Sequence, residues 1–153
     1  MSEMHKDAST FLNEHKLAVL STASEKGEVW GAAVYYVVDE KLNFYFFTHV
    51  ESKKYRNLKE HPQVALTVTD DYAQTTVQAS GEVAEVPMGE ELNAAYRKLV
   101  LVHPPGQFSW VPPVSKLHDQ GEMTVLKLTP HMLQFSHFKP ETNRPGGYAT
   151  RII

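Results

Sequence analysis

The chain reads as a mainly β domain: a six-stranded antiparallel sheet of Greek-key type that closes into a small barrel, with helices at its periphery. Three observations predict this. A period of two runs through residues 42–48 and 63–69, and 17–23, 29–38 and 75–86 are further runs bounded by turns that read as strands. Most of these runs are joined by short turn-forming segments, so that successive strands pair as neighbours and closure hides the sheet edges. Finally, 153 residues with 42% hydrophobic composition suffice for one core, and no linker or low-complexity run divides them, so residues 1–153 are expected to form a single domain.

Each element follows from local chemistry. An amphipathic helix near residues 7–14 carries Ala8, Phe11 and Leu12 on its apolar stripe. Strand 17–23 ends at the turn Ser24-Glu25-Lys26-Gly27, and a long strand over 29–38 begins with the small run Gly31-Ala32-Ala33. Two readings fit that run: a bulge or flat surface at Gly31 that faces a ring, or two alanines packed under a neighbouring strand. Asp39-Glu40-Lys41 turns the chain into the aromatic strand 42–48, and Ser52 N-caps a helix over 53–60 that stops before Pro62. Strand 63–69 buries Val64, Leu66 and Val68, and strand 75–86 contains Gly81, a position for a bulge or bend. A helix over 88–100 leads into a proline-rich connection, 103–121, after which 123–128 and 132–138 read as closing strand segments. The tail, 139–153, is expected to be loose unless it docks on a partner.

The junction between the aromatic strand and helix 53–60 carries the functional signal. Lys53 and Lys54 occupy the first turn, where the helix dipole is already positive, so each opposes it by about 0.3 to 1 kcal/mol. The other predicted helices have the favourable arrangement, with Glu90 and Glu91 starting one and Asp7 starting another. A phosphate seated on the helix N–H groups, the Ser52 hydroxyl and the two ammonium groups reverses the sign of every unfavourable contribution. The alternative is that the lysines are solvated surface charges, which salt and water screen.

Composition excludes several classes. A formal net charge of −3 and the lack of a long basic run argue against a nucleic-acid binder. The absence of cysteine removes disulfides, iron–sulfur clusters, thiol nucleophiles and cysteine-ligated zinc, and fits a reducing compartment. No apolar run approaches the ~18 residues of a membrane span and the N-terminus lacks a signal core, so a soluble, cytoplasmic protein without membrane partners is expected. Eight histidines occur without HxH or HExxH spacing, so no metal site is expected; His131 and His137 share a face only if the last strand is unbroken. His49 follows Thr48 in the junction and stands near any ligand there. Trp110, among prolines, is either a packing anchor or a stacking group supplied across an interface.

The order of these features resembles the flavin-binding split-barrel family of pyridoxamine 5'-phosphate oxidase. The resemblance rests on the aromatic strand, the Thr48-x-x-x-Ser52-Lys53-Lys54 turn into a helix ending at His61-Pro62, the Val64-Ala65-Leu66-Thr67-Val68 strand and the strand through Ser80-Gly81. It covers roughly residues 17–86. It implies an antiparallel split barrel binding FMN at the interface of a homodimer, with the flavin phosphate on Ser52, Lys53 and Lys54. The implied cofactor-binding set adds Ala32, Ala33 and Val34 on the second strand, Phe47 and Thr48, Thr76 or Gln78 in the place of a flavin-facing glutamine, and Trp110 from the proline-rich loop. There are departures: a gap-free alignment puts Gly31 and Tyr36 where the oxidase has an arginine and a lysine. Lys116-Leu117-His118-Asp119-Gln120 is only superficially like the oxidase's C-terminal Arg-Leu-His-Asp-Arg motif, since both arginines are replaced and over thirty residues follow. The implied activity is an FMN-dependent oxidoreductase acting on a small molecule, with NADH or NADPH as candidate electron donor. The protein supplies position and the flavin the redox chemistry, so no catalytic side chain is assigned. The alternatives are a non-catalytic flavin-binding, storage or stress protein, and a haem- or deazaflavin-binding relative on the same barrel.

Overall fold

A computed structural model describes residues 2–103, 122–138 and 149–153. In chain order the elements are α1 (Glu3–Glu14), β1 (Leu17–Ala23), β2 (Val29–Tyr35), β3 (Val37–Val38), β4 (Phe44–His49), α2 (Lys53–Glu60), β5 (Gln63–Asp70), β6 (Thr75–Glu85), α3 (Glu90–Val102), β7 (Met123–His137) and β8 (Ala149–Arg151). The strands form one antiparallel sheet in the order β2-β1-β5-β6-β7-β4-β3, with β8 paired to β7.

The predicted strand 29–38 closes this sheet. It breaks at Tyr36, so that β2 pairs with β1 while β3 pairs with β4 at the far end of the order, bringing β2 and β4 into contact. Tyr36 is 1% exposed; its backbone N–H donates to the Lys16 carbonyl at 3.0 Å and its hydroxyl to the Leu12 carbonyl at 2.8 Å. Burial pushes the Tyr36 phenol well above its ordinary pKa, so the hydroxyl remains a donor. Eight strand segments therefore stand where six strands were expected, because one predicted strand divides at this corner and β8 is added. The two predicted closing segments instead merge into the single strand β7. Residues 149–151 of the tail, expected to be loose, pair with Ser136, Phe135 and Gln134.

Two apolar clusters follow from strand alternation. The barrel interior is filled by residues such as Leu20, Phe44, Phe46, Leu66, Val77 and Leu133, sealed on one side by Phe11 and Leu12 of α1. A second cluster packs Leu92, Ala95 and Leu99 of α3 on Tyr45, Phe47 and Val125, the opposite faces of β4 and β7. Residues Phe44 to Phe47 are consequently buried on both faces, which explains their unbroken aromatic character. Beside this cluster the Tyr45 hydroxyl lies 2.8 Å from Glu91 Oε1 and 3.1 Å from Asp39 Oδ2, and Lys127 Nζ lies 2.5 Å from Glu91 Oε1. These contacts tie α3 to β4, β7 and the turn before β4.

Gly81 has a steric reason. The β6–β7 register shifts between Ser80 and Gly81, and a Cβ at Gly81 would run into the Thr129 carbonyl oxygen and stand 2.8 Å from Pro130 Cα. Gly81→Ala should therefore cost about 1 to 3 kcal/mol in urea unfolding, the usual range for overpacking; an unchanged midpoint would contradict this.

His15, at the C-terminus of α1, stacks on Phe11 and holds two partners, with Nδ1 2.6 Å from the Phe11 carbonyl and Nε2 2.8 Å from Asp70 Oδ2. Burial lowers its pKa, but the Phe11 carbonyl and the Asp70 carboxylate outweigh this and raise it above 6.5. The Ala73 N–H and His15 hold Asp70 below 3.8. The raised histidine contributes fully below its unfolded pKa and loses that contribution as pH rises through the folded value; the depressed aspartate loses its contribution only as pH falls. The pair thus stabilises most between roughly pH 4 and 6.5. The stability difference between wild type and His15→Gln should shrink from pH 6 to pH 8 in thermal unfolding, and a constant difference would count against the linkage.

Candidate functional site

The strand β4 delivers its last buried residue, Thr48, to the start of α2. The Thr48 hydroxyl is 3.1 Å from Ser52 Oγ, and Ser52 Oγ accepts from the Tyr55 backbone N–H at 3.2 Å, the N-cap geometry. That cap satisfies one of the first-turn donors and leaves the Lys53 and Lys54 N–H groups for an acceptor from outside the helix. Two further contacts fix the helix start against the barrel: Asn57 Nδ2 donates to Thr22 Oγ1 of β1 at 3.0 Å, both groups being buried, and Leu58 enters the core.

Among the three helices of the described residues, α2 alone has no acidic residue in its first turn. No salt bridge among the described residues includes Lys53 or Lys54. The Glu60 carboxylate accepts from the Glu25 N–H at 3.1 Å. Lys54 is half-buried, and desolvation lowers its pKa. Lys53 is exposed and its Nζ stands 4.4 Å from the centroid of the Trp30 ring. The site thus combines a capped helix start, two ammonium groups and a buried hydroxyl. This donor set is suited to an oxyanion such as a phosphate monoester.

The remaining predicted positions divide between the two faces of the sheet. On β2, Val34 lies in the barrel core opposite Ala18, and Ala32 pairs with Leu20 on the same inner face. Ala33 pairs with Val19 on the outer face and lines an open groove of about 520 Å³ with Leu17, Val19, Thr67 and Thr69. The β1–β2 register is continuous at Gly31, so no bulge occurs there. Phe47 turns away from Thr48 into the α3 cluster, with ring centroids 5.9 Å from Tyr96 and 5.5 Å from His103. Thr76 Oγ1 is 3.2 Å from Thr69 Oγ1, and Gln78 accepts from Gln134 at 3.3 Å, both on the outer face. Nine residues of strand, about 30 Å, separate Thr76 from Glu85, where β6 meets Tyr55 of α2. Thr48, Ser52, Lys53 and Lys54 therefore come together in one chain, whereas Thr76 and Gln78 stand apart from them. Trp110 and residues 116–120 lie outside the described residues.

His49 is exposed at the end of β4. The last strand is unbroken, but His131 falls at the register shift opposite Ser80 and Gly81, while the His137 ring lies against Phe135 with Nδ1 3.1 Å from Thr75 Oγ1. Among the described residues no group of three His, Cys, Asp or Glu side chains could hold a metal ion. No helix among them is long and apolar enough to cross a membrane. Sequence reasoning passed over Trp30. Its signal was a large aromatic directly before the small run Gly31-Ala32-Ala33.

The curled antiparallel sheet, closed at Tyr36 and carrying a capped helix at the end of its aromatic strand, defines a split-barrel protein. The chain belongs to the pyridoxamine 5'-phosphate oxidase family, whose sequence pattern matches residues 4–137. It is 34% identical over 82 residues to a pyridoxine/pyridoxamine 5'-phosphate oxidase of Crocosphaera subtropica, a match covering 54% of this chain and 38% of that protein. The fold is similar to that of a haem-binding protein from Mycobacterium smegmatis, with a TM-score of 0.76 and 16% identity over 99% of this chain and 58% of the other. It is also similar to a pyridoxamine 5'-phosphate oxidase-related, FMN-binding protein from Nostoc punctiforme, with a TM-score of 0.64, 10% identity and coverage of 98% and 94%. The chain thus spans about two fifths of the oxidase and somewhat less than two thirds of the mycobacterial protein.

Proposed function

We propose that this chain binds FMN and acts as an FMN-dependent oxidoreductase on a small-molecule substrate, with NADH or NADPH as candidate electron donor. The observation that supports it is the start of α2, where Lys53 and Lys54 oppose the dipole without an acidic neighbour in the first turn and beside the linked Thr48 and Ser52 hydroxyls. In this reading Ser52, Lys53, Lys54 and Thr48 hold the flavin phosphate, and Ala33, on the outward face of β2, leaves room for a flat ring. Bound flavin supplies the hydride chemistry; the chain's own groups bind, orient and neutralise charge. A second reading, haem binding, draws on the likeness in fold to the mycobacterial haem-binding protein. Purified holo protein separates the two by its absorption spectrum and by the mass of the released ligand.

Replacing both lysines tests the site. Lys53→Gln/Lys54→Gln removes two charge-assisted contacts of about 1.5 to 3 kcal/mol each, so FMN affinity, followed by fluorescence quenching, should fall at least about a hundredfold. Flavin-free stability should stay unchanged or rise by up to about 1 kcal/mol, because the dipole is no longer opposed. Unchanged FMN affinity would remove the phosphate from this place.

The reading also includes a two-fold homodimer. Strand register puts Val19, Ser21, Ala33, Ala65, Thr67 and Gln78 on one outward face, none of them charged, and Leu17 and Val19 are 51% and 49% exposed there. Such a continuous uncharged face suits an isologous contact, and a second copy would bring Thr76 and Gln78 within reach of a site they do not reach in their own chain. A glutamate in this face, Val19→Glu, should give a monomer by sedimentation with weakened flavin binding. Wild-type protein that sediments as a flavin-bound monomer at micromolar concentration would contradict the dimer.

A further inference from the structure

Trp30 has an environment that strand packing alone does not explain. It pairs with Thr22 on the inner face of the sheet, where Ala18, Leu20, Thr22 and Val34 are all at most 5% exposed, yet Trp30 is 46% exposed. The half-exposed indole has the Lys53 ammonium 4.4 Å from its ring centroid. Thr22, its cross-strand partner, accepts from Asn57 of α2, so the same pair of strands that holds the indole also fixes the helix that presents Lys53. A lysine on an aromatic face is common in itself. This one lies in the first turn of the helix that lacks a compensating acid, where a cation gains nothing from the dipole.

We infer that Trp30 is a positioning residue for the proposed ligand site: its π face holds the Lys53 ammonium beside the N-terminus of α2 before the anion arrives. This rests on the reading of α2 as the phosphate cradle and adds a residue to it. Without the indole, a long exposed side chain would sample many rotamers and be repelled from the helix start, so ordering it would be charged against ligand affinity. With the indole, the ammonium is kept within the first turn by an attraction of similar size to the dipole repulsion. The seated ammonium then exchanges its π contact for the oxyanion or shares the two.

The experiment uses two probes, FMN and inorganic phosphate, on the full chain. Trp30→Leu should weaken FMN binding by about threefold to fivefold, the scale of an exposed cation–π contact, and Trp30→Phe should restore most of it. In the Lys53→Gln background the Trp30→Leu change should have no further effect. Riboflavin, which lacks the phosphate, should bind wild type and Trp30→Leu equally. Inorganic phosphate added to flavin-free protein should alter tryptophan emission in wild type but not in Trp30→Phe or Lys53→Gln. Equal loss of FMN and riboflavin affinity in Trp30→Leu would overturn the inference, because the indole would then serve the ring rather than Lys53. So would additive losses from Trp30→Leu and Lys53→Gln. A phosphate response that depends on Trp30 and Lys53 in a protein that binds no FMN would uphold the inference and overturn the flavin reading. FMN binding that depends on the lysines but not on Trp30 would do the reverse.

Discussion

The closure of the sheet at Tyr36 is the constraint on which the rest of the structure depends. One continuous stretch serves two neighbours, pairing with β1 before the corner and with β4 after it, and a sheet can do this only if it curls. The corner interrupts the ladder and turns a polar side chain inward. The Leu12 carbonyl of α1 accepts the phenol, the Lys16 carbonyl just beyond it accepts the Tyr36 N–H, and the ring packs 5.5 Å from Phe44 of β4. The N-terminal helix is therefore a structural plug for the barrel, and its register is held at its C-terminal end by His15 against Asp70. A change that loosens α1 would act first on closure and, through closure, on the junction of β4 with α2.

Closure also explains why the start of α2 is a rigid place to put charges. The helix is attached to the end of β4 through Thr48 and Ser52 and to β1 through Asn57 and Thr22, two strands that are not adjacent in the sheet order. A helix held at two strands cannot relax its first turn by fraying, which is the usual escape from an unfavourable dipole interaction. The lysines are thus kept where a solvated helix would let them drift, and the indole of Trp30 stands beside one of them.

Much of this was legible in the sequence because it rests on local patterns. The turn-bounded run 17–23, the alternation through residues 63–69, the Ser52 cap and the stop before Pro62 fixed β1, β5 and α2 to within a residue. What was not legible depends on partners distant in the chain. The break at Tyr36 is set by Leu12 and Lys16, not by any turn residue, and the apolar pattern runs through it. α1 starts at Glu3, capped by Ser2, because Met4 continues the stripe of Ala8 and Phe11 onto the core, a single apolar residue too few to mark the first turn. The tail residues 149–151 gain order from an edge offered by β7, which composition does not reveal. At the strand–helix junction, charge placement singled out Ser52, Lys53 and Lys54 as candidates, but periodicity could not say that Phe47 faces α3 while Thr48 faces Ser52. Nor could it show that Thr76 and Gln78 stand on the outer face.

Gly31 and Tyr36, which the resemblance sets against two cations of the oxidase, have different surroundings in this chain. At Gly31 a Cβ would meet only Val19 Cγ1, at 3.6 Å, an ordinary contact, so the outer face there has space for a longer side chain. At Tyr36 the side chain is 1% exposed, and its hydroxyl is the donor that the Leu12 carbonyl requires. A lysine at that corner would bring an ammonium into the barrel wall without a carboxylate to pair with it, at a cost of several kcal/mol. Tyr36 serves the fold: its side chain completes the barrel, and a lysine in its place would undo the closure that places α2. On the proposed reading, anion recognition within one chain therefore falls on the strand–helix junction, where Lys53, Lys54 and the Thr48–Ser52 hydroxyl pair stand together.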